Sequence, residues 1–193
     1  MPSVTYQLKI TLLEITPPIW RRICVPSTIL LCCLHDALQA VMGWTDCHLH
    51  LFEKDGKNWS VPAWDEFCDF DFIDESKTQL ARVLKSEGTS MVYEYDFGDA
   101  WRHELLLEKI LPESSKCPTC VAGDRRCPPE DVGGVSGYEE FLEVICDPSH
   151  EEYEHYVGWA GGHFEDRFDV AAVNTTLSRM RWPLGHRRQG KRR

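Results

Sequence analysis

The stretch Met91-Val-Tyr-Glu-Tyr-Asp-Phe-Gly-Asp-Ala-Trp-Arg-His-Glu-Leu-Leu-Leu-Glu-Lys-Ile-Leu111 decides the fold. Residues 91–96 and 101–111 are rich in aromatic and aliphatic side chains, and the intervening Phe97-Gly-Asp-Ala100 is a turn signal, so the segment reads as a β-hairpin. A two- or four-residue turn centred on Gly98-Asp99 sets Asp96 opposite Trp101, Glu94 opposite His103 and Val92 opposite Leu105. His103 is therefore expected to face a carboxylate.

Outward from this hairpin the same reasoning applies. Val4, Tyr6, Leu8, Ile10 and Leu12 alternate with more polar neighbours, the period of a half-buried strand, and Trp20 to Val25 is extended after Pro17-Pro18. Thr28 to Met42 places Leu30, Leu34, Leu38 and Val41 at helical spacing, with Ser27 as expected N-cap and Gly43 just past the end; this helix is apolar nearly all round and should be buried. Residues 47–53 and 58–61 form a second hairpin around Lys54-Asp-Gly-Lys57, and 64–75 read as an acidic connecting loop. After a Pro/Gly/Cys-rich loop over 112–135, Ser136 to Glu139 and Ser149 to Glu152 have the spacing of capping boxes, and a last helix is expected around 169–180. Strands followed by helices predict an α+β protein: a mostly antiparallel sheet of about five or six strands, a buried helix in the N-terminal half and a C-terminal helical segment. The chain divides into one domain over 1–185 and a basic, disordered tail over 186–193.

Composition bounds the function. At 193 residues, with 42% apolar residues, the chain can bury a core of its own. Its longest apolar run, Ile29 to Leu34, is far too short to cross a bilayer, and with no visible secretory signal the expected location is the cytoplasm. Of the 21 basic residues seven fall within the last 15 positions, leaving 14 against all 31 acidic residues, a net −17, in residues 1–178. So acidic a body repels nucleic acid, leaving the basic tail as the only segment suited to touch it. A protein or small ligand is the expected partner. Of nine cysteines, Cys24, Cys32, Cys33, Cys47, Cys68 and Cys146 read as reduced core residues.

Two groups of residues suit metal chemistry. His48 and His50, two apart on a strand, lie on one face with Cα atoms about 7 Å apart; with His103 they would make a three-ligand zinc site if the hairpins adjoin. Cys117-Pro-Thr-Cys120 has ligand-pair spacing and Cys127 offers a third thiolate, the alternative being a reversible Cys120–Cys127 bond. In Pro128-Pro-Glu-Asp-Val-Gly-Gly134 a rigid turn presents Glu130 and Asp131, which together with Asp96 and Asp99 would suit a divalent cation. No nucleophile elbow, phosphate loop or dinucleotide fingerprint is present.

Taken together, Pro17-Pro-Ile-Trp-Arg-Arg22, Leu34-His35, Met42-Gly-Trp44 with His48-Leu49 and Phe52, Tyr95-Asp-Phe-Gly-Asp99 with Trp101 and His103-Glu104, and Cys120 to Gly134 followed by Gly137-Tyr138 resemble the plasmid pRiA4b ORF-3-like family, also met as a transposon-passenger protein. The resemblance spans about residues 4–180 and implies a compact α+β domain, sometimes associated with mobile elements. A site shared with that family would draw on Arg21, Arg22, His35, His48, Asp96, Asp99, His103, Glu130 and Asp131. The expected function is that of a binding or interaction module; a metal-dependent hydrolase or nuclease and a redox-sensing thiol loop are the alternatives.

Overall fold

A computed structural model describes residues 4–61 and 72–182. The basic tail, the boundary at 185, Cys68 and most of the acidic connection lie outside the described residues. Among those described, eight strands form one sheet: β1 (Thr5–Leu12), β2 (Trp20–Pro26), β3 (His50–Lys54), β4 (Lys57–Ser60), β5 (Phe72–Asp74), β6 (Ser90–Tyr95), β7 (Trp101–Leu111) and β8 (Thr119–Asp124). Their spatial order is β5-β4-β3-β6-β7-β1-β2-β8, antiparallel except for the β4–β5 pair. The helices are α1 (Leu31–Met42), α2 (Leu80–Val83), α3 (Gly134–Cys146), α4 (Tyr153–Trp159) and α5 (Val170–Arg179). None is long and apolar enough to cross a membrane.

The α+β expectation holds, with eight strands in place of five or six. The two extra strands are the sheet edges, β5 and β8. Neither has a clear alternation to announce it: β5 has three residues, and β8 falls within the Pro/Gly/Cys-rich stretch that reads as a loop. One sheet face carries Leu8, Ile10, Leu12, Ile23, Tyr93, Tyr95, Leu105 and Leu107, all buried, while the alternate residues remain partly exposed. Burial of such side chains contributes about 1.5–3 kcal/mol each. α1 lies on the buried face, as Gln39 and His35 hydrogen-bond Tyr93 on β6 and Val41 accepts from Arg21 on β2.

Several local signals resolve differently from expectation. Gly43 ends α1 in the left-handed conformation at φ +90°, donating its N–H to Gln39. Ser27, by contrast, does not cap that helix; it pairs with Val4 beside β1. Neither expected capping box forms. Ser136 lies inside α3, which starts two residues earlier after Gly133 at φ +92°, and Ser149 donates to Asp147. Asp169 does cap α5, accepting from Ala171 and Ala172. The cysteine assignment also needs correction. Cys47 and Cys146 are exposed, whereas Cys33, Cys120 and Cys127 are buried.

The central hairpin has a five-residue connection, because Asp96 and Ala100 both adopt positive φ and Ala100 donates to Asp96. Tyr95 therefore pairs with Trp101, and Tyr93, rather than Glu94, faces His103. Glu94 lies opposite Arg102 on the other face.

Candidate functional site

Three connections meet where α1 leaves toward β3, β6 turns into β7, and β8 leads to α3. Trp44, just past α1, is buried; it stacks on Tyr95 at 4.9 Å between ring centroids and donates Nε1–H to the Pro128 carbonyl. The Phe97-Gly-Asp-Ala100 turn is fastened to the same region through Gly133, whose N–H donates to Asp99 Oδ2 at 3.1 Å. Gly134, at φ +70°, sits so close that a Cβ there would lie 2.9 Å from the Asp99 carbonyl oxygen. Gly134 is needed at this contact because only glycine combines positive φ with so close an approach, while Gly133 supplies the other left-handed residue with room around it.

This junction gathers His48, Asp96, Glu130 and Asp131. His48 Nε2 lies 3.7 Å from Asp96 Oδ2, 4.0 Å from Glu130 Oε2 and 3.1 Å from Asp131 Oδ1. Each of two carboxylates has one oxygen fastened. Asp96 Oδ1 accepts from the amides of Gly98 and Asp99, and Glu130 Oε1 accepts from Thr45 N–H at 2.8 Å, Thr45 Oγ1 and the Tyr95 hydroxyl. Burial pushes the Tyr95 phenol up, which keeps it a donor to Glu130. The remaining Glu130 oxygen, Oε2, and His48 Nε2 are both buried and have no hydrogen-bond partner among the described residues. Asp96 and Asp131 hold positive φ, 57° and 58°, a backbone conformation that clusters at functional sites. Cys47 Sγ lies within 4.8 Å of ligand atoms of His48 and Glu130. His48 also lines a cavity of about 270 Å³ with Leu49, His50 and Val61.

The other candidates lie elsewhere. His50 begins β3, and its Nε2 pairs with buried Glu75 at 2.8 Å, while its ring stacks on His35 at 3.5 Å and 7°. His35 bridges Asp46 Oδ1 and the Tyr93 hydroxyl, and burial holds its imidazole below the ordinary range. One ligand atom each of His35, Asp46 and His50 lie within 4.8 Å of one another, but His35 spends both its nitrogens on Asp46 and Tyr93, and His50 Nε2 is paired with Glu75. His103 is fully buried; its Nδ1 donates to the Tyr93 carbonyl at 3.3 Å and its ring meets the edge of Trp44, with its pKa lowered to about 4 by burial. The expected His48, His50 and His103 trio is thus divided among a surface junction, a buried dyad and the core, because the strand begins at His50 and the hairpin is one residue out of the expected register.

Asp99 fastens the turn and presents no ligand to the cluster. Arg21 is buried and donates to the carbonyls of Val41, Trp20 and Asp124 while resting on Phe168. Arg22 forms a bidentate pair with Glu108 on the open sheet face. Cys117, Cys120 and Cys127 form no shared ligand group among the described residues. Cys120 Sγ donates to the Ala122 carbonyl, and Cys127, whose thiol burial pushes up to about 11, touches Arg21 and Met42. Such protonated, buried thiols are poor ligands and poor nucleophiles. Sequence reasoning overlooked Thr45 and Tyr95 as supports of Glu130, and Asp46 and Glu75 as histidine partners; only Tyr95, through its position beside Asp96, had a local signal.

These features can be compared with known proteins. The chain is 38% identical over 176 residues to the "Uncharacterized protein y4hQ" of Sinorhizobium fredii (strain NBRC 101917 / NGR234), covering 90% of this chain and 88% of that one. It is similar to the crystal structure of the protein of unknown function MM3350 from Methanosarcina mazei Go1, with 43% identity, a TM-score of 0.77, and coverage of 88% of this chain and 97% of the other. The family model described as "Plasmid pRiA4b ORF-3-like protein" matches residues 4–176, which include every member of the loop junction. With that match and those relatives, the chain belongs to the plasmid pRiA4b ORF-3-like protein family.

Proposed function

We propose that the protein is a divalent-metal-dependent hydrolase of small substrates, with His48, Asp96, Glu130 and Asp131 as its metal ligands. The observation that carries this reading is the pair of buried atoms His48 Nε2 and Glu130 Oε2, 4.0 Å apart and without a hydrogen bond among the described residues, with Asp96 Oδ2 and Asp131 Oδ1 beside the imidazole. Metal–ligand bonds of 2.0–2.2 Å separate tetrahedral ligands by about 3.3–3.6 Å, and from His48 Nε2 the separations of 3.1, 3.7 and 4.0 Å straddle that range. The ligand atoms form two groups within 4.8 Å that share His48, one with Asp96 and Asp131 and one with Cys47 and Glu130, so an ion held by all three carboxylates would draw Glu130 toward the other two. An imidazolium serving only as an ion-pair hub would direct its N–H at one of these oxygens. Here Nε2 forms no hydrogen bond, even with Asp131 at 3.1 Å.

A nitrogen and three carboxylates suit a first-row divalent ion, and Cys47 nearby adds a soft donor that favours zinc. A bound ion would supply Lewis-acid activation of water. The chain's own groups then have separable tasks. Thr45 and Tyr95 orient Glu130, the loop amides orient Asp96, and the cavity beside His48 admits solvent and substrate. The net charge of −10 favours a small substrate over a polynucleotide.

The test is elemental mass spectrometry on protein purified without chelator, paired with chromogenic ester and phosphoester assays. About one zinc per chain is expected, with hydrolysis abolished by chelation and both metal and activity lost in His48→Ala while circular dichroism is unchanged. No metal uptake, even after zinc and manganese are offered, would overturn the site. Metal held tightly without turnover would overturn the hydrolase and favour a recognition module.

A further inference from the structure

We infer that the cavity walled in part by Glu130 is an oxyanion subsite in which Arg126 and Arg167 hold a phosphate or carboxylate group of the substrate. As a substrate subsite it rests on the metal-centre reading; as an anion site it stands alone. The cavity, of about 240 Å³, is lined by Trp44, Pro129, Glu130 and Phe168 together with both arginines. A second cavity of about 430 Å³ shares the two arginines, with His163, Glu165 and Asp169 on its wall.

Four guanidinium groups occur in this corner of an acidic chain, and their bonding differs. Arg21 is buried with its donors spent on carbonyls, and Arg125 is ion-paired with Asp166 at 2.7 Å. Arg126 and Arg167 have no carboxylate within ion-pair distance among the described residues, although Glu165 and Asp169 share the wall of the second cavity. Arg126, exposed like Arg167, instead rests on the Phe164 ring, 4.7 Å from its centroid, a contact that steadies the guanidinium plane, and neither guanidinium forms a side-chain hydrogen bond among the described residues. The two come from different segments, one following β8 and the other preceding α5, and both line the same cavity. Planar guanidinium forks match an oxyanion in two-point geometry, which a lysine does not. Because Glu130 belongs both to this wall and to the His48 cluster, a substrate anchored here by its anionic end would reach the proposed metal ligands.

The experiment is calorimetric titration of the full chain, in chelator, with inorganic phosphate and separately with acetate. Saturable binding is expected, weakened at least tenfold in Arg126→Met and in Arg167→Met and unchanged in Arg179→Met, a control exposed elsewhere. Binding should also persist in His48→Ala, so that failure of the metal centre and failure of this subsite are read separately. A preference for phosphate identifies a phosphorylated substrate and a preference for acetate a carboxylated one, both within the proposal. No saturable binding, or equal weakening in the Arg179 control, would overturn it.

Discussion

At the scale of single residues, a histidine's neighbours decide between chemistry and packing. His103 is sealed against Trp44 and Tyr93 with its pKa lowered from 6.5 to about 4 by burial. The unfolded chain therefore binds a proton between those pH values that the folded chain refuses. Its contribution to stability is complete above pH 6.5 and is lost as pH falls toward 4, a change of about 3 kcal/mol by linkage. His35, also lowered by burial, acts in the same direction. Urea unfolding at pH 7.5 and 4.5 is expected to show this loss, and His103→Gln should reduce it even though the variant is less stable at neutral pH. An unchanged difference between the two pH values would assign the acid sensitivity to other groups. The sequence made His48 and His103 visible as candidates; it did not separate them, because pattern reasoning detects residue type and strand period. Register depends on the positive-φ geometry of Asp96 and Ala100, which no periodicity reveals.

At the scale of elements, the site consists of connections held by regular structure. Glu130 and Asp131 were legible from the rigid Pro-Pro and Gly-Gly brackets around them, and Asp96 from its turn. Their meeting was not, since β8, α1 and the central hairpin come together only through a sheet order that places β2 between β1 and β8. The Gly134 contact is the test of this scale. Gly134→Ala places a Cβ at 2.9 Å from the Asp99 carbonyl oxygen in a left-handed backbone conformation, so one of the two loops must shift. Expected are a loss of about 1–3 kcal/mol in stability and at least tenfold weaker metal binding, measured by denaturation and by competition with a chromogenic chelator. Gly56→Ala, also left-handed but with open space around its Cβ, should carry the backbone cost alone and leave metal affinity unchanged. Equal effects of the two substitutions on metal affinity would sever the link between loop docking and the site. The missed edge strand has a physical reason too. β8 is completed on its outer side by Asn174 of α5, whose side-chain amide exchanges two 2.8 Å hydrogen bonds with the Cys120 backbone, a tertiary contact that a local pattern does not contain.

At the scale of the whole molecule, the proposed ligands come from three segments widely separated in sequence: Cys47–His48 after α1, Asp96 after β6, and Glu130–Asp131 before α3. An ion bound there would cross-link α1, the central hairpin and the C-terminal helices. Three carboxylates around one imidazole repel one another, and the chain as a whole carries −10, so a cation relieves both local and global charge. The unfolded chain has no such cluster, which makes binding energy available to folding. At zinc concentrations 100-fold above the dissociation constant the native state gains about 2.7 kcal/mol, or roughly 5–11 °C in Tm for a chain of this size. Thermal unfolding of the wild type in zinc and in chelator should show that shift, and Asp96→Asn with Asp131→Asn should remove it. In chelator the double variant should melt at or above the wild type, because the mutual repulsion of the carboxylates is gone. A double variant that melts lower in chelator would mean these carboxylates stabilise the fold through His48 and, for Asp96, the turn amides of Gly98 and Asp99, and the junction would then be a structural ion-pair cluster.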